Sequence, residues 1–541
     1  MPKVKLDHFR RAAVDIGTHG DNDTLPFDID NRFIKQNEEV LANIAFEFCR
    51  ELIQGSAADA RKAISSLNIF SERLLAPTGP AGFRITTKIH PFWNLYFNGL
   101  GIAIAEALEP IRSARAHSYR FALQGDGLFV KDASWRAFRE ATVAECIAQR
   151  EGAIVVQTDI SSFYEHVSHH RIENSINDLF QGDGTVSAQV DRFLSRFAAG
   201  RSFGLPVGGQ CSRILAELLL SLVDQQLTDA KLMWRRYVDD FVLITPTQAE
   251  AYRALSILAH SLADYGLTLN RTKTILLTSK HYLDYVRTQL GTAGDETNKL
   301  LEIDLHFDAY SDTAQSDYEE LKQVVGSLNI GALLDLELQK AQPDAFSVSQ
   351  ISRTLKLHEP KVAIQLIRTL LSQQNLHAFR ASWSTIMRGI AQVRSDDTFR
   401  AIFTDLDQLL DAIPSHSPHL LTAEASQLHY LRTIRFTRTD VRAQYVYGIY
   451  SSTTSQTVRR ACIDCWGTWR DRPSFTRERN KWNSLLPDEQ RMLWFAAENF
   501  DDEGQKFRTQ VRNSLAQAWQ LGIERPNKPT FAAVYAAWND T

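Results

Sequence analysis

The stretch Arg236-Tyr237-Val238-Asp239-Asp240-Phe241-Val242-Leu243-Ile244 sets two neighbouring aspartates between two β-prone flanks. Flanks of this kind around a short polar pair predict a strand, a tight turn and a second strand, with the acids at the tip. An ordinary Asp-rich turn is the alternative. Apolar residues on both sides place such a hairpin inside a sheet rather than on the surface. Buried carboxylates are costly unless something pairs with them, so a bound metal ion is favoured over a plain turn.

A second carboxylate has a similar setting. Ala153-Ile154-Val155-Val156-Gln157-Thr158-Asp159 is a β-rich run that ends in an acid. Taken alone, Asp159 reads equally well as the N-cap of a following helix. Taken with the hairpin, it completes a pattern. Nucleotidyl transfer uses two divalent ions about 3.5–4 Å apart. Mg²⁺ takes carboxylate oxygens in near-octahedral geometry, with phosphates and water filling the shell. Asp159 on one strand and Asp239 on an adjacent hairpin suit such a clamp, with Asp240 as a third, less directly bonded acid.

The rest of the chain bounds this reading. With 541 residues it is too long for one core, and two to four domains are expected. Hydrophobic residues make up 44% and charged residues 23%, with a formal net charge of −4. Any nucleic-acid contact must therefore come from local basic patches. The five cysteines, Cys49, Cys146, Cys211, Cys462 and Cys465, are few and unevenly spaced. That suits a reducing compartment. Cys462 and Cys465 form a C-x-x-C in a helical context with no second pair nearby, which reads as core packing. The N-terminus has no apolar signal core, and no apolar run approaches membrane-spanning length. A cytoplasmic protein without membrane contact is expected.

Along the chain, residues 1–80 read as a mostly helical N-terminal extension, with a helix from about Glu38 to Leu52. Pro77–Gly82 is a breaker. Phe83–Pro91 is a short β-like run, followed by an amphipathic segment from Asn94 to Ile111 and a helix from about Trp135 to Ala148. Residues 151–285 alternate strands and helices, including an apolar helix from Ser212 to Gln226, which fits α+β. From about residue 300 to 541 helical periodicity dominates. Val362–Ser372, Phe399–Ile413, Thr457–Trp469 and Gln490–Phe500 read as stacked amphipathic helices without a strict sequence period.

The order Thr158-Asp159-Ile160-Ser161-Ser162-Phe163-Tyr164, then Gly204-Leu205-Pro206-Val207-Gly208-Gly209, then Tyr237-Val238-Asp239-Asp240 resembles motifs A, B and C of reverse transcriptases. Gly266-Leu267-Thr268-Leu269-Asn270-Arg271-Thr272-Lys273-Thr274 resembles motif D. The resemblance covers roughly residues 80–285. It implies fingers and palm over 81–290 and a helical domain over 300–541. It also implies metal binding at Asp159, Ile160, Asp239 and Asp240, with two Mg²⁺ ions or Mn²⁺ in their place. Tyr164 matches the family's steric gate against a ribose 2′-hydroxyl; without that context it reads equally as a core tyrosine. Pro206, Gly208 and Gly209 would belong to a loop against template and incoming base. Val207 stands where many members carry glutamine. Lys273 would protonate or neutralise the leaving pyrophosphate, or be a solvated lysine ending a turn. Arg84 and Lys88 lie where the fingers grip a triphosphate, with Arg120 a further candidate; each also reads as a surface charge.

The motif set is similar to that of bacterial abortive-infection and defence-associated reverse transcriptases of the unknown group. Ser118-Tyr119-Arg120-Phe121, the Gly20–Phe27 stretch and Ser212-Arg213 add to this likeness. Some members carry HEAT-like helices in place of a thumb, which residues 300–541 would match. The resemblance implies DNA synthesis from dNTPs in antiphage defence in the bacterial cytoplasm. It implies a non-coding RNA or RNA template, a DNA product and often a homo-oligomer. Synthesis without a template or from a protein tyrosine occurs in the group. For Tyr430, Tyr445, Tyr447 and Tyr450 core packing is the default. Arg438, Arg442, Arg459, Arg460, Arg470 and Arg472, with Trp466 and Trp469, would serve RNA or form solvated faces over an aromatic core. The alternative from another class is an RNA-binding scaffold or sensor that uses a polymerase fold.

Overall fold

The computed structural model describes residues 3–538 except 21–24, 27, 80, 124–126, 131–132, 150–151, 291–299, 301–320 and 341–342. Most of the Gly20–Phe27 stretch, and the expected boundary between residues 290 and 300, lie outside the described residues.

The N-terminal part is helical, with α1 (Leu6–His19), α2 (Asp28–Gln36), α3 (Glu38–Gln54) and α4 (Ala57–Ser65). It then enters a strand that the sequence did not announce. β1 (Ser71–Thr78) pairs antiparallel with β2 (Gly82–Ile89), from Ser71 opposite Ile89 to Thr78 opposite Gly82. The Pro77–Gly82 breaker is the turn region of this hairpin, so the hairpin straddles the expected division at residue 80.

Next comes α5 (Pro91–Leu108), which starts at a proline in the first helical turn behind the capping side chain of His90. It is buried on nearly every side, not amphipathic. The reason is its central position, with α1 on one flank and α10 (Gln210–Asp229) on another. A Cβ added to Gly101 would meet Cys211 Cα at 2.9 Å. The helices touch that closely only because the position has no side chain.

The larger, four-stranded sheet has the order β4-β5-β3-β6. Its strands are β3 (Ile154–Asp159), β4 (Met233–Tyr237), β5 (Asp240–Thr245) and β6 (Ile275–Thr278), all antiparallel to their neighbours. Helices cover both faces. Val155, Val242 and Ile244 pack with Phe138 of α6 (Trp135–Ile147) and with Tyr282 and Val286 of α12 (Ser279–Leu290). Val156, Phe241 and Leu243 point into the main core, where α11 (Gln248–Ala263) and α10 lie. Burial on two faces explains why these strands read as continuous apolar runs.

The described residues of the C-terminal part form helices and loops, without strands. Trp383–Arg394 packs on Glu424–Ile434, which packs on Gln456–Thr468, which packs on Pro487–Ala496. Pro360–Leu371 and Phe403–His416 form part of a second row. This stack folds back onto the N-terminal part. Phe33 of α2 meets Phe531, Tyr535 and Trp538 edge-on. Among the described residues no helix is long and apolar enough to cross a membrane.

Candidate active site

The three aspartates converge as the register demands. Asp159 at the end of β3 stands opposite Asp240 at the start of β5. Tyr237 pairs with Asp240 across a turn made of Val238 and Asp239. Val238 has φ +54°, a region that a β-branched residue occupies only when its surroundings hold it there. They do so from two sides. The Val238 amide donates to Ser118 Oγ at 2.8 Å, and Arg236 donates to the Val238 carbonyl at 2.9 Å.

Beneath the turn lies a buried ionic network. Arg236 is fully buried and donates to Asp224 at 2.9 and 2.6 Å and to Glu217 at 3.1 and 3.0 Å. Glu217 also accepts from Arg112 at 2.5 Å and from Ser118 Oγ at 2.5 Å. Arg112 in turn donates to the carbonyls of Ser118 and Tyr119. Every charge is matched, as burial requires. Sequence reasoning missed this network. One signal was available: Glu217 and Asp224 stand seven residues apart in an apolar helix, on one face, and Arg236 stands in a strand that cannot otherwise hold it.

The three carboxylates raise one another's proton affinity. The Asp239 carboxyl is pushed up to about 7 by burial and then by the charges of Asp159 and Asp240, and it lies within hydrogen-bonding reach of Asp159. Asp240 is also raised, by burial and by Asp159. Carboxylates held this close share a proton or a cation. The donor set is all oxygen, which fits Mg²⁺ or Mn²⁺. Ile160 has a buried side chain and bridges to Leu269, so only its main chain is free to join the set.

Lys273 reaches this centre, with Nζ 2.5 Å from Asp159 Oδ2. Its ammonium is held above its usual range chiefly by that bond. Asn270, to which sequence reasoning gave no role, donates its amide to the Asp159 carbonyl at 2.7 Å and thereby ties the motif D segment to β3.

Tyr164 stands beside the acids. Its hydroxyl is held well above the usual range by burial, with Tyr119, Glu217 and Asp239 adding to this and Arg213 opposing it. The Tyr164 carbonyl accepts from the Leu205 amide at 2.8 Å. This joins motif A to the loop carrying Pro206, Gly208 and Gly209. Gly208 has φ +114°, open to glycine and strained for other residues. The Val207 carbonyl accepts from Thr86 Oγ1 at 3.1 Å, docking the loop on β2. Gly209 caps α10.

Two expected triphosphate contacts lie elsewhere. Lys88 is buried, 3.1 Å from Asp30. Its strand turns that side chain toward α2 and the C-terminal helices rather than toward the acids. Arg120 pairs with Glu109 at 2.5 Å and donates to the Ser113 and Ala116 carbonyls, so its donors are engaged in holding its own loop. Arg84 is exposed on β2. Cys462 and Cys465 are buried in the helical stack, and burial pushes both thiols up, as suits packing rather than metal binding.

Part of the chain finds its match among polymerases that copy RNA into DNA. Residues 100–290 match the family model described as reverse transcriptase (RNA-dependent DNA polymerase), so the chain contains a reverse transcriptase domain. It is 36% identical over 78 residues to telomerase reverse transcriptase of Rattus norvegicus, a stretch that is 14% of this chain and 7% of that protein. To the same enzyme of Mus musculus it is 35% identical over 78 residues, with the same coverage. The chain thus spans a small fraction of the length of these relatives. Among solved structures, telomerase from Candida albicans with a fragment of telomeric RNA aligns with a TM-score of 0.31 and 12% identity, covering 64% of this chain and 65% of that one. Apo telomerase from Candida tropicalis aligns with a TM-score of 0.31 and 12% identity, covering 69% and 71%.

Proposed function

We propose that this chain is an RNA-directed DNA polymerase that joins dNTPs by two-metal nucleotidyl transfer. The observation that carries the reading is the meeting of Asp159, Asp239 and Asp240 at one sheet edge, with Lys273 on Asp159 and Tyr164 alongside. Two bound Mg²⁺ ions, or Mn²⁺, would supply charge neutralisation at the attacking and leaving oxygens. Asp159 and Asp239 would hold them, with Asp240 in support and the main chain at Ile160 joining the set. Lys273 would give its proton to the departing pyrophosphate. Tyr164 crowds a ribose 2′-hydroxyl and so favours deoxynucleotides. Pro206, Gly208 and Gly209 offer main chain to the template and incoming base. Arg84 is the remaining fingers candidate for the triphosphate.

The motif likeness further supports a role in antiphage defence in the bacterial cytoplasm, with a non-coding RNA or RNA template and a homo-oligomeric assembly. The C-terminal stack of helices fits a HEAT-like array. Synthesis without a template, or from a protein primer, belongs to the same proposal. The test is incubation of purified protein and its co-purifying RNA with Mg²⁺ and labelled dNTPs, with and without added template and primer. Labelled DNA made by the wild type and absent with Asp239→Ala is the expected result. A protease-sensitive mobility shift of the product would mark protein priming. No incorporation under any of these conditions would overturn the polymerase in favour of an RNA-binding scaffold.

A further inference from the structure

Arg139 on α6 is a buried charge without a partner. It is 4% exposed. Among the described residues it forms no ion pair. Its guanidinium makes one long hydrogen bond, from Nη1 to the Tyr282 hydroxyl at 3.5 Å, and Nε has no partner. Arg236, Arg442, Arg460 and Arg491 are buried as deeply, and each holds a carboxylate. The Arg139 guanidinium lies 4.9 Å from the ring centroid of Trp135 and 5.3 Å from that of Phe138. Two ring contacts and one long bond return less free energy than burying a charge costs. An anion must supply the rest.

The sheet edge beside it provides one. Val242 and Ile244 of β5 pack on Phe138, the neighbour of Arg139. Asp240 stands two residues before Val242 and so shares that face of the sheet. Tyr237, which pairs with Asp240 across the turn, lies 6.1 Å ring to ring from Phe138. Burial and Asp159 raise the Asp240 carboxyl, and Arg139 and Lys273 oppose them. Arg139 is thus near enough for its charge to be felt, though not in contact. The two cations differ in kind. Lys273 is exposed, on a flexible stem, and can leave. Arg139 lies against two rings and reaches Tyr282, whose own hydroxyl is fixed on Thr142 Oγ1 at 2.7 Å.

We propose that Arg139 is a positioning residue, a fixed cation inside the fold whose counter-charge is Asp240. It draws that carboxylate and the start of β5 toward α6, so that Asp159 and Asp239 are left to hold the ions. The inference rests on the polymerase reading for its effect on catalysis, but the pairing of Arg139 with Asp240 is a property of the fold and can be measured without turnover.

The experiment compares the full chain as wild type, Arg139→Met, Arg139→Lys, Asp240→Asn and the double variant Arg139→Met with Asp240→Asn. Arg139→Met should lower kcat and raise the half-saturating Mg²⁺ concentration, each by about tenfold, the scale for a group that orients a metal ligand. KM for the dNTP should stay within about twofold of wild type, and Arg139→Lys, which keeps the charge, should recover most of the loss. A merely structural role would not divide the parameters in this way. Melting followed by circular dichroism closes the cycle. Asp240→Asn should raise the melting temperature more, or lower it less, in the Arg139→Met background than in wild type, because only wild type loses an attraction. Should Arg139→Met fail to fold, Arg139→Gln, which keeps a donor for Tyr282 and drops the charge, takes its place in the cycle. Equal melting shifts in the two backgrounds overturn the proposal, as does an Arg139→Met enzyme with wild-type kcat and Mg²⁺ dependence. If the wild type itself incorporates no dNTP, the polymerase reading fails on its own, and the melting cycle still decides whether Arg139 holds Asp240.

Discussion

Lys88 on β2 lies 3.1 Å from Asp30 on α2, and neither side chain reaches solvent. Asp30 also accepts from Arg460 at 2.8 and 2.9 Å and from Arg491. These cations hold its carboxyl well below the usual range against the opposing effect of burial. One carboxylate thereby fastens the N-terminal helices, the β1–β2 hairpin and two C-terminal helices together. Other contacts follow the same hairpin. The Thr457 amide donates to Glu72 at 2.9 Å, the Leu75 amide to Glu424 at 2.9 Å, and Arg380 to the Gly82 carbonyl at 2.8 Å. Since β2 also grips Val207, the helical stack sets the position of the motif B loop.

Asp30→Ala should therefore destabilise the whole chain. Removing the anion leaves three buried cations with only Asp488, 3.9 Å from Arg460 and from Arg491, a loss of about 3–5 kcal/mol by the usual scale for broken buried pairs. Thermal unfolding followed by circular dichroism measures it. A melting temperature within a degree of wild type would show that the cluster does not join the parts.

The turn that carries Asp239 should depend on Ser118. Ser118→Ala removes the acceptor of the Val238 amide and a donor to Glu217, at a cost of about 1–3 kcal/mol. Because Val238 is strained, the turn is expected to relax and lower kcat, while oligonucleotide affinity stays near wild type. Steady-state incorporation and a binding assay on one preparation separate the two effects.

Metal loading should be linked to protons. With the Asp239 carboxyl pushed up to about 7, the metal-free site carries a proton below that pH, and a divalent ion must displace it. The half-saturating Mg²⁺ concentration is expected to rise about tenfold per unit as pH falls below 7 and to flatten above 8. The sign for stability is the reverse. A carboxyl whose folded value is raised supports the metal-free fold fully below the ordinary aspartate range and loses that support as pH rises through about 7. Added Mg²⁺ should thus raise the melting temperature more at pH 8 than at pH 6. Equal shifts at both would contradict the linkage.

Tyr164→Ala should admit ribonucleotides. The ratio of kcat/KM for a dNTP over its rNTP is expected to fall by about ten- to a hundredfold, the scale of a lost steric contact in a packed pocket. An unchanged ratio would remove Tyr164 from the role of gate.

Local order determined much of this molecule. The Tyr237–Asp240 hairpin, the strand ending at Asp159 and the helices near Glu38–Leu52 and Trp135–Ala148 follow from periodicity and turn chemistry, which act over a few neighbouring residues. The three aspartates were legible for the same reason, because Asp159 ends an apolar strand and Asp239 and Asp240 stand in the turn and at the start of another, where a carboxylate needs a partner. β1 was not legible, since Pro77 and an uneven pattern hide a strand that exists only by pairing with β2. The burial of α5 on all sides, the buried pairing of Lys88 and the engagement of Arg120 with Glu109 were also invisible. Each depends on residues far away in the chain, and a charge has no assigned partner until the fold closes. The sequence by itself determined that three carboxylates stand at strand ends and a turn of one sheet. Only the tertiary structure decided that Arg236, Glu217, Asp224 and Ser118 hold the Val238–Asp239 turn, and that Asp30 binds the C-terminal helices to the β1–β2 hairpin, because buried charges pair by proximity in space.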